Sequence, residues 1–166
     1  MKTISANVVE ETWREMGGSG IADAKKLAAR MTKEQPFIQA YLLALGERDF
    51  NPDEARLLFY LGMVVWLVFD RAGRPKVKVS GAMLDKAEKD NAKMLEYLEG
   101  ESGAEFAETV ERLLDGCNQV EVLRYVVNAL MEEPEEGCEI RDEYVGEMFV
   151  DLKTVIDCLD RGVLTS

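Results

Sequence analysis

An all-α fold is the architecture this sequence predicts, and three observations carry it. Apolar residues recur at helical spacing in eight successive segments. Proline is scarce, at 4 in 166 residues, and long Val/Ile/Thr alternations are missing. Glycine or proline stands at most of the segment ends, where helices start and stop. The expected arrangement is a compact bundle of about eight helices in a single domain, residues 1–166. It is built either as two related four-helix units or as a short helical-repeat stack.

The first helix is expected over residues 5–16, with Val9, Thr12, Trp13 and Met16 as its stripe and Gly17, Gly18 and Gly20 ending it. The second spans residues 21–33, with Ala24, Leu27, Ala28 and Met31 on a narrow face. A third starts at Pro36, a residue suited to a first turn, carries Phe37 or Ile38, Tyr41, Leu42 and Leu45, and closes at Gly46. The fourth has the clearest start: Asn51 as N-cap, Pro52 in the first turn, then Asp53 and Glu54 at the positive end of the dipole. From residue 57 to residue 69 it is apolar almost all round, the mark of a central helix, and Trp66 is expected to be buried there. Gly73 and Pro75 stop it.

A connector follows over residues 71–79, in which Lys76, Val77, Lys78 and Val79 alternate as a short extended piece would. Ser80 caps the fifth helix, which runs to residue 99 with Leu84, Ala87, Asn91, Met94, Leu95 and Leu98 inward. Asn91 must find hydrogen-bond partners or lie at the boundary, because a buried unpaired amide is costly. The sixth helix covers residues 102–115, with Phe106, Val110, Leu113 and Leu114 inward, and the seventh residues 118–132, with Leu123, Val126, Val127 and Leu130 inward. Pro134 and Gly137 break the acidic loop of residues 132–139. The eighth, over residues 141–160, has the best amphipathic pattern: Val145, Met148, Phe149, Leu152, Val155, Ile156 and Leu159.

These helices read as two sets of four, over residues 1–80 and 81–166. A shift of 84 residues brings Gln35 onto Gln119, Tyr41 onto Tyr125, Tyr60 onto Tyr144 and Gly62 onto Gly146. A duplication would put the fourth and eighth helices in equivalent positions, with Gly62 and Gly146 where another helix comes close.

Composition narrows the chemistry. The chain has no histidine, which removes Ser-His-Asp and Cys-His catalysis, His-ligated zinc and Glu-x-x-His di-iron pairs. Cys117, Cys138 and Cys158 are odd in number and widely spaced, so three reduced cysteines in or near the core are expected, with no disulfide framework or zinc site. No phosphate-binding glycine motif or EF-hand loop occurs, and no cofactor is expected. Residues 1–13 contain Glu10 and Glu11 and no apolar run, so they do not read as a signal peptide. The apolar run of residues 57–69 is short of the roughly 20 residues a bilayer requires. The expected compartment is the cytoplasm.

Net charge is −12 and lopsided: residues 1–83 hold 12 Lys/Arg against 10 Asp/Glu, residues 84–166 hold 8 against 22. Such a chain repels phosphate backbones, so neither nucleic acid nor membrane is expected as a partner. Another protein, or a second copy docking half to half, is. Two charge clusters are the interaction candidates. One is the acidic loop with Glu132, Glu133, Glu135, Glu136 and Glu139, which suits a basic peptide or protein. The other is the basic island of Arg71, Arg74, Lys76 and Lys78, which suits a phosphate or an acidic segment. The plainer reading of the island is that it neutralises the acidic second half or the C-terminal end of the fourth helix.

Metal chemistry has two candidate sets. Glu108 and Glu111, followed by Glu139 and Asp142, resemble the paired carboxylates of the all-α nucleoside triphosphate pyrophosphohydrolases, although the seventh helix intervenes. Glu143, Glu147 and Asp151 stand at i, i+4 and i+8, a spacing that suits a hard cation but equally the wet face of an amphipathic helix. The leading expectation is a non-enzymatic interaction or adaptor domain. A metal-dependent nucleotide hydrolase and a small-ligand binder with an interhelical pocket are the alternatives.

Overall fold

A computed structural model of the protein describes residues 2–18, 20–73, 77–99, 101 and 103–162. Among these residues are eight α-helices and no strand: α1 (Ala6–Gly18), α2 (Ile21–Glu34), α3 (Pro36–Asp49), α4 (Pro52–Arg71), α5 (Gly81–Leu98), α6 (Gly103–Leu114), α7 (Val120–Met131) and α8 (Val145–Gly162). They pack compactly. α4 lies against α1, α3 and α8, and α8 lies against α4, α5 and α7. No helix among the described residues is long and apolar enough to cross a membrane.

The two central helices are the ones whose sequence is apolar over the widest arc. Residues 61–69 of α4 are buried without a break, Trp66 among them, and the Arg30 guanidinium caps the Trp66 ring at 5.0 Å. The whole predicted stripe of α8 is buried. Phe149 meets Phe106 of α6 edge to face, with centroids 6.0 Å apart. Each such buried side chain contributes roughly 1.5–3 kcal/mol, and this core holds the helix ends, where the polar chemistry sits.

Several expectations need correction. Gly46 does not close α3, which runs on to Asp49. A Cβ at Gly46 would stand 2.9 Å from that of Ala55, so the glycine lets α3 and α4 approach closely. Trp13 is not inward but 42% exposed, beside Arg14, and Thr12 takes the buried position instead, its hydroxyl donating to the Val8 carbonyl at 2.7 Å. Cys158 is buried, Cys117 half-buried and Cys138 exposed, all three as free thiols.

The alternating piece before α5 joins no sheet. The side chain of Gln35 donates to the Val77 carbonyl at 2.8 Å and accepts from the Val79 amide at 2.9 Å. Gln119 treats the lead-in to α1 in the same way, donating to the Lys2 carbonyl at 3.2 Å and accepting from the Ile4 amide at 2.8 Å. Ile4 and Val79 are the buried residues these clamps hold down. Both glutamines stand at the N-cap of their helices, α3 and α7, and neither side chain caps its own helix. Gly62 and Gly146 each receive a close neighbour, but from different helices: Leu42 of α3 and the backbone of Leu98 in α5.

Candidate functional site: an acid-rimmed groove and a buried aspartate

The start of α4 is built more elaborately than an N-cap. The Asn51 side chain accepts from the Glu54 amide at 2.8 Å, and the Glu54 carboxylate accepts from the Asn51 amide at 2.9 Å, closing a capping box. Glu54 is fully buried, and it is engaged a second time. It accepts from the Arg141 amide at 2.8 Å and from the Arg141 guanidinium at 2.6 Å. The guanidinium also lies 3.9 Å over the Tyr144 ring. Burial pushes the Glu54 carboxyl up, but Arg141 and the two amides outweigh it and hold the group below the usual range.

Asp53 and Asn51 fix the loop itself. Asp53 accepts from the Glu139 amide at 3.0 Å, and Asn51 donates to the Glu139 carbonyl at 3.1 Å. These ties explain why the eighth helix starts late. Residues 141–144 are drawn onto α4 as a 3₁₀ turn (Asp142–Tyr144), and α8 begins only at Val145. The Glu139 amide also holds Asp53 below its usual pKa, with Arg56 adding to this.

A groove of about 900 Å³ opens between this loop, the end of α1, the first half of α4 and the end of α7. Its floor is apolar, with Met16, Leu57, Leu130, Ile140 and Val145, and the exposed Met131 beside them. Its rim is acidic, with Asp53, Glu132, Glu133, Glu135 and Asp142. Arg56, also on the rim, is paired with Asp53. Tyr60 lines the wall, its phenol raised first by burial and then by Glu132.

The structure therefore divides the predicted acids. Glu132, Glu133 and Glu135 line the groove, while Glu136 and Glu139 are exposed outside its lining. Of the basic island, two residues are described. Arg71 pairs with Glu15 of α1, within the first half, and Lys78 is exposed beside the Gln35 clamp. Arg74 and Lys76 lie outside the described residues. Of the hydrolase-like quartet, Glu108 and Glu111 are exposed on α6, with Glu111 3.8 Å from Arg124. Glu139 and Asp142 belong to the loop and its 3₁₀ turn. Among the described residues no three Cys, Asp or Glu side chains are grouped to hold one metal ion.

Of the Glu143, Glu147 and Asp151 set, Glu143 lies in the 3₁₀ turn and the other two on α8, where they depart from a wet face. Glu143 is exposed and Glu147 half-buried, but Asp151 is only 9% exposed, and its Oδ2 has no hydrogen-bond partner. Burial, then the neighbouring charges of Glu147, Asp49 and Glu88, push Asp151 up to about 8, with Arg48 opposing. Glu147 is raised as well, by burial and by Asp49. Nearby, Tyr41 donates to Glu88 at 2.9 Å. Asn91 is buried and satisfied, donating to Thr154 at 3.2 Å and to Asp157 at 3.1 Å and accepting from Lys153 at 3.0 Å. A sequence signal for this cluster exists: Val150 and Leu152 flank Asp151, so the apolar arc of α8 is too wide for a helix with one open side. The Asn51–Glu54 box was legible too, as Asn-x-x-Glu ahead of an apolar run.

Comparison with known proteins returns no match: no family model fits the chain, and neither a curated protein nor a solved structure resembles it significantly.

Proposed function

We propose that this protein is a docking module that takes a basic, amphipathic helical segment of another protein into the groove beside α4. The observation that carries the reading is an apolar floor enclosed by a carboxylate rim, with the loop bearing the rim tied to α4 by Asn51, Asp53 and Glu54. Helix-in-groove recognition needs apolar anchors at i, i+3 or i+4, and i+7 for the floor, with charge complementary to the rim on either side. Leu57, Leu130, Met131 and Ile140 supply the surface for the anchors. Glu132, Glu133, Glu135 and Asp142 supply partners for Lys and Arg, and these long-range charges act on association rate and selectivity more than on residence. A preformed rim spares the entropy of ordering a loop on binding.

The test uses a labelled helical peptide with leucines at helical spacing and lysines on either side, beside a scrambled peptide of equal composition and a version with Glu for Lys. Fluorescence anisotropy at two salt concentrations is expected to show binding of the first peptide only. The triple variant Glu132→Lys, Glu133→Lys, Glu135→Lys should weaken that binding at least tenfold and flatten its salt dependence. Equal binding of the scrambled peptide, or undiminished binding by the triple variant, would overturn the proposal.

A further inference from the structure

The turn from α3 into α4, residues 49–51, touches both the surroundings of Asp151 and the rim of the groove. Asp49 comes first. Arg48 holds its carboxylate with two hydrogen bonds at 2.9 Å, and the Glu147 carboxyl of α8 hydrogen-bonds to it. Asp151 stands one turn further along α8, 9% exposed and with no partner for its Oδ2. The charges that act on it come from three helices: Asp49 and Arg48 of α3, Glu88 of α5 and Glu147 of α8 itself. The Tyr41 phenol of α3 also feels its charge. Three acids oppose one guanidinium, and Asp49 already engages that guanidinium. Such surroundings favour Asp151 as a neutral acid.

The next two residues of the turn hold the rim. The Phe50 ring meets the Tyr144 ring edge to face, with centroids 6.1 Å apart. Tyr144 lies under the Arg141 guanidinium, and Arg141 is the residue by which Glu54 anchors the loop. Asn51 donates to the Glu139 carbonyl. Consecutive Cα atoms are about 3.8 Å apart along a chain of rigid peptide planes, so a shift of Asp49 carries Phe50 and Asn51 with it. An ionised Asp151 is costly where it lies, and it is relieved when the turn and its Asp49 move off α8 and let water in.

We propose that the protonation state of Asp151 regulates the groove: as a neutral acid it lets the turn of residues 49–51 close on α8 and hold the rim loop, and as a carboxylate it loosens both. The regulatory meaning rests on the groove being the docking site, while the loosening is a property of the free chain. With the turn closed, the carboxyl is pushed up to about 8, against 3.8 when exposed. Opening that exposes it therefore becomes easier as pH rises between those values, and levels off above them. Glu147, raised by burial and by Asp49, adds in the same direction.

Amide hydrogen exchange of the free protein, followed by NMR and corrected for the intrinsic rate at each pH, is the test. The reporters are the Glu139 and Arg141 amides, which donate to Asp53 and Glu54. Both acceptors are held below their usual range and stay ionised throughout. The controls are the Ile4 and Val79 amides, on lead-ins that come free without exposing Asp151. Between pH 5.5 and pH 8, protection of the two rim amides is expected to fall by about tenfold or more in wild type. It should stay constant in Asp151→Asn, and the controls should change little in either protein. A rim indifferent to pH, a fall that survives in Asp151→Asn, or an equal fall at Ile4 and Val79 would overturn the proposal. No peptide is present, so a failure of docking is seen separately, as an absence of binding to the groove at every pH.

Discussion

Asp151 makes one contribution to the pH dependence of stability. Its carboxyl titrates near 3.8 when exposed and is pushed up to about 8 in the fold. Between those values the folded chain holds a proton that the unfolded chain has released, so stability falls as pH rises through that window and levels off above it. At about 1.4 kcal/mol per tenfold change in proton affinity, the loss is on the order of a few kcal/mol. Asp151→Asn, which removes the titration and keeps the shape, should leave the melting temperature unchanged near pH 4. By pH 8 it should be several degrees above wild type, which thermal denaturation across pH 4–9 would show. A constant offset at every pH would mean that the carboxyl is not the titrating group. Glu54 and Asp53, both held below their usual values, work in the opposite sense and weaken the fold as pH falls through the acid range. The pair Glu54–Arg141 was only half visible in the sequence: the box was readable, but a contact across 87 residues leaves no periodic trace.

At the level of the element, two glycines separate backbone crowding from side-chain crowding. A Cβ at Gly146 would stand 2.4 Å from the carbonyl oxygen of Leu98, which belongs to the backbone of α5 and cannot step aside alone. A Cβ at Gly62 would meet Cδ1 of Leu42 at 2.4 Å, the far end of a flexible side chain. Alanine favours a helix interior over glycine by about 1 kcal/mol, and overpacking costs roughly 1–3 kcal/mol. Gly146, in the first turn of α8, gains little of that preference, so Gly146→Ala should lose roughly 1–3 kcal/mol in a urea titration, and Gly62→Ala, in mid-helix, distinctly less. Equal losses would place the crowding elsewhere. Helix identity and inward faces were legible because each depends on neighbours three and four residues apart, as the fully buried stripe of α8 shows. Ends set by distant contacts were not. Gly46 makes room for Ala55 within α3 rather than ending it, and α8 starts late because Arg141 is held by Glu54. The groove was legible in its acids alone. Its apolar floor is assembled from α1, α4, α7 and the loop, which no local pattern links.

Across the whole molecule, charge is distributed by contact rather than by half. Arg71, expected to answer the acidic second half or the C-terminal end of the fourth helix, stands in the last turn of α4 and pairs with Glu15 of α1, and Arg161 near the other end of the chain pairs with Asp90 of α5 at 3.0 Å. The two glutamine clamps run the other way: each set of four helices grips the lead-in to the first helix of the other set. Gln35 grips the chain just ahead of α5, and Gln119 grips the chain just ahead of α1. Each half thus supplies a socket and donates the plug that fills the other's, with Ile4 and Val79 as the buried tips. The connection between them is then not what keeps them together. Two separately produced pieces, residues 1–76 and 77–166, should each be poorly folded alone and regain helical circular dichroism and a cooperative melt when mixed. Gln35→Ala in one piece or Gln119→Ala in the other should impair that recovery. This chain would then be a two-piece protein whose parts find one another by exchanging their leading strands of backbone, a ready frame for a split reporter.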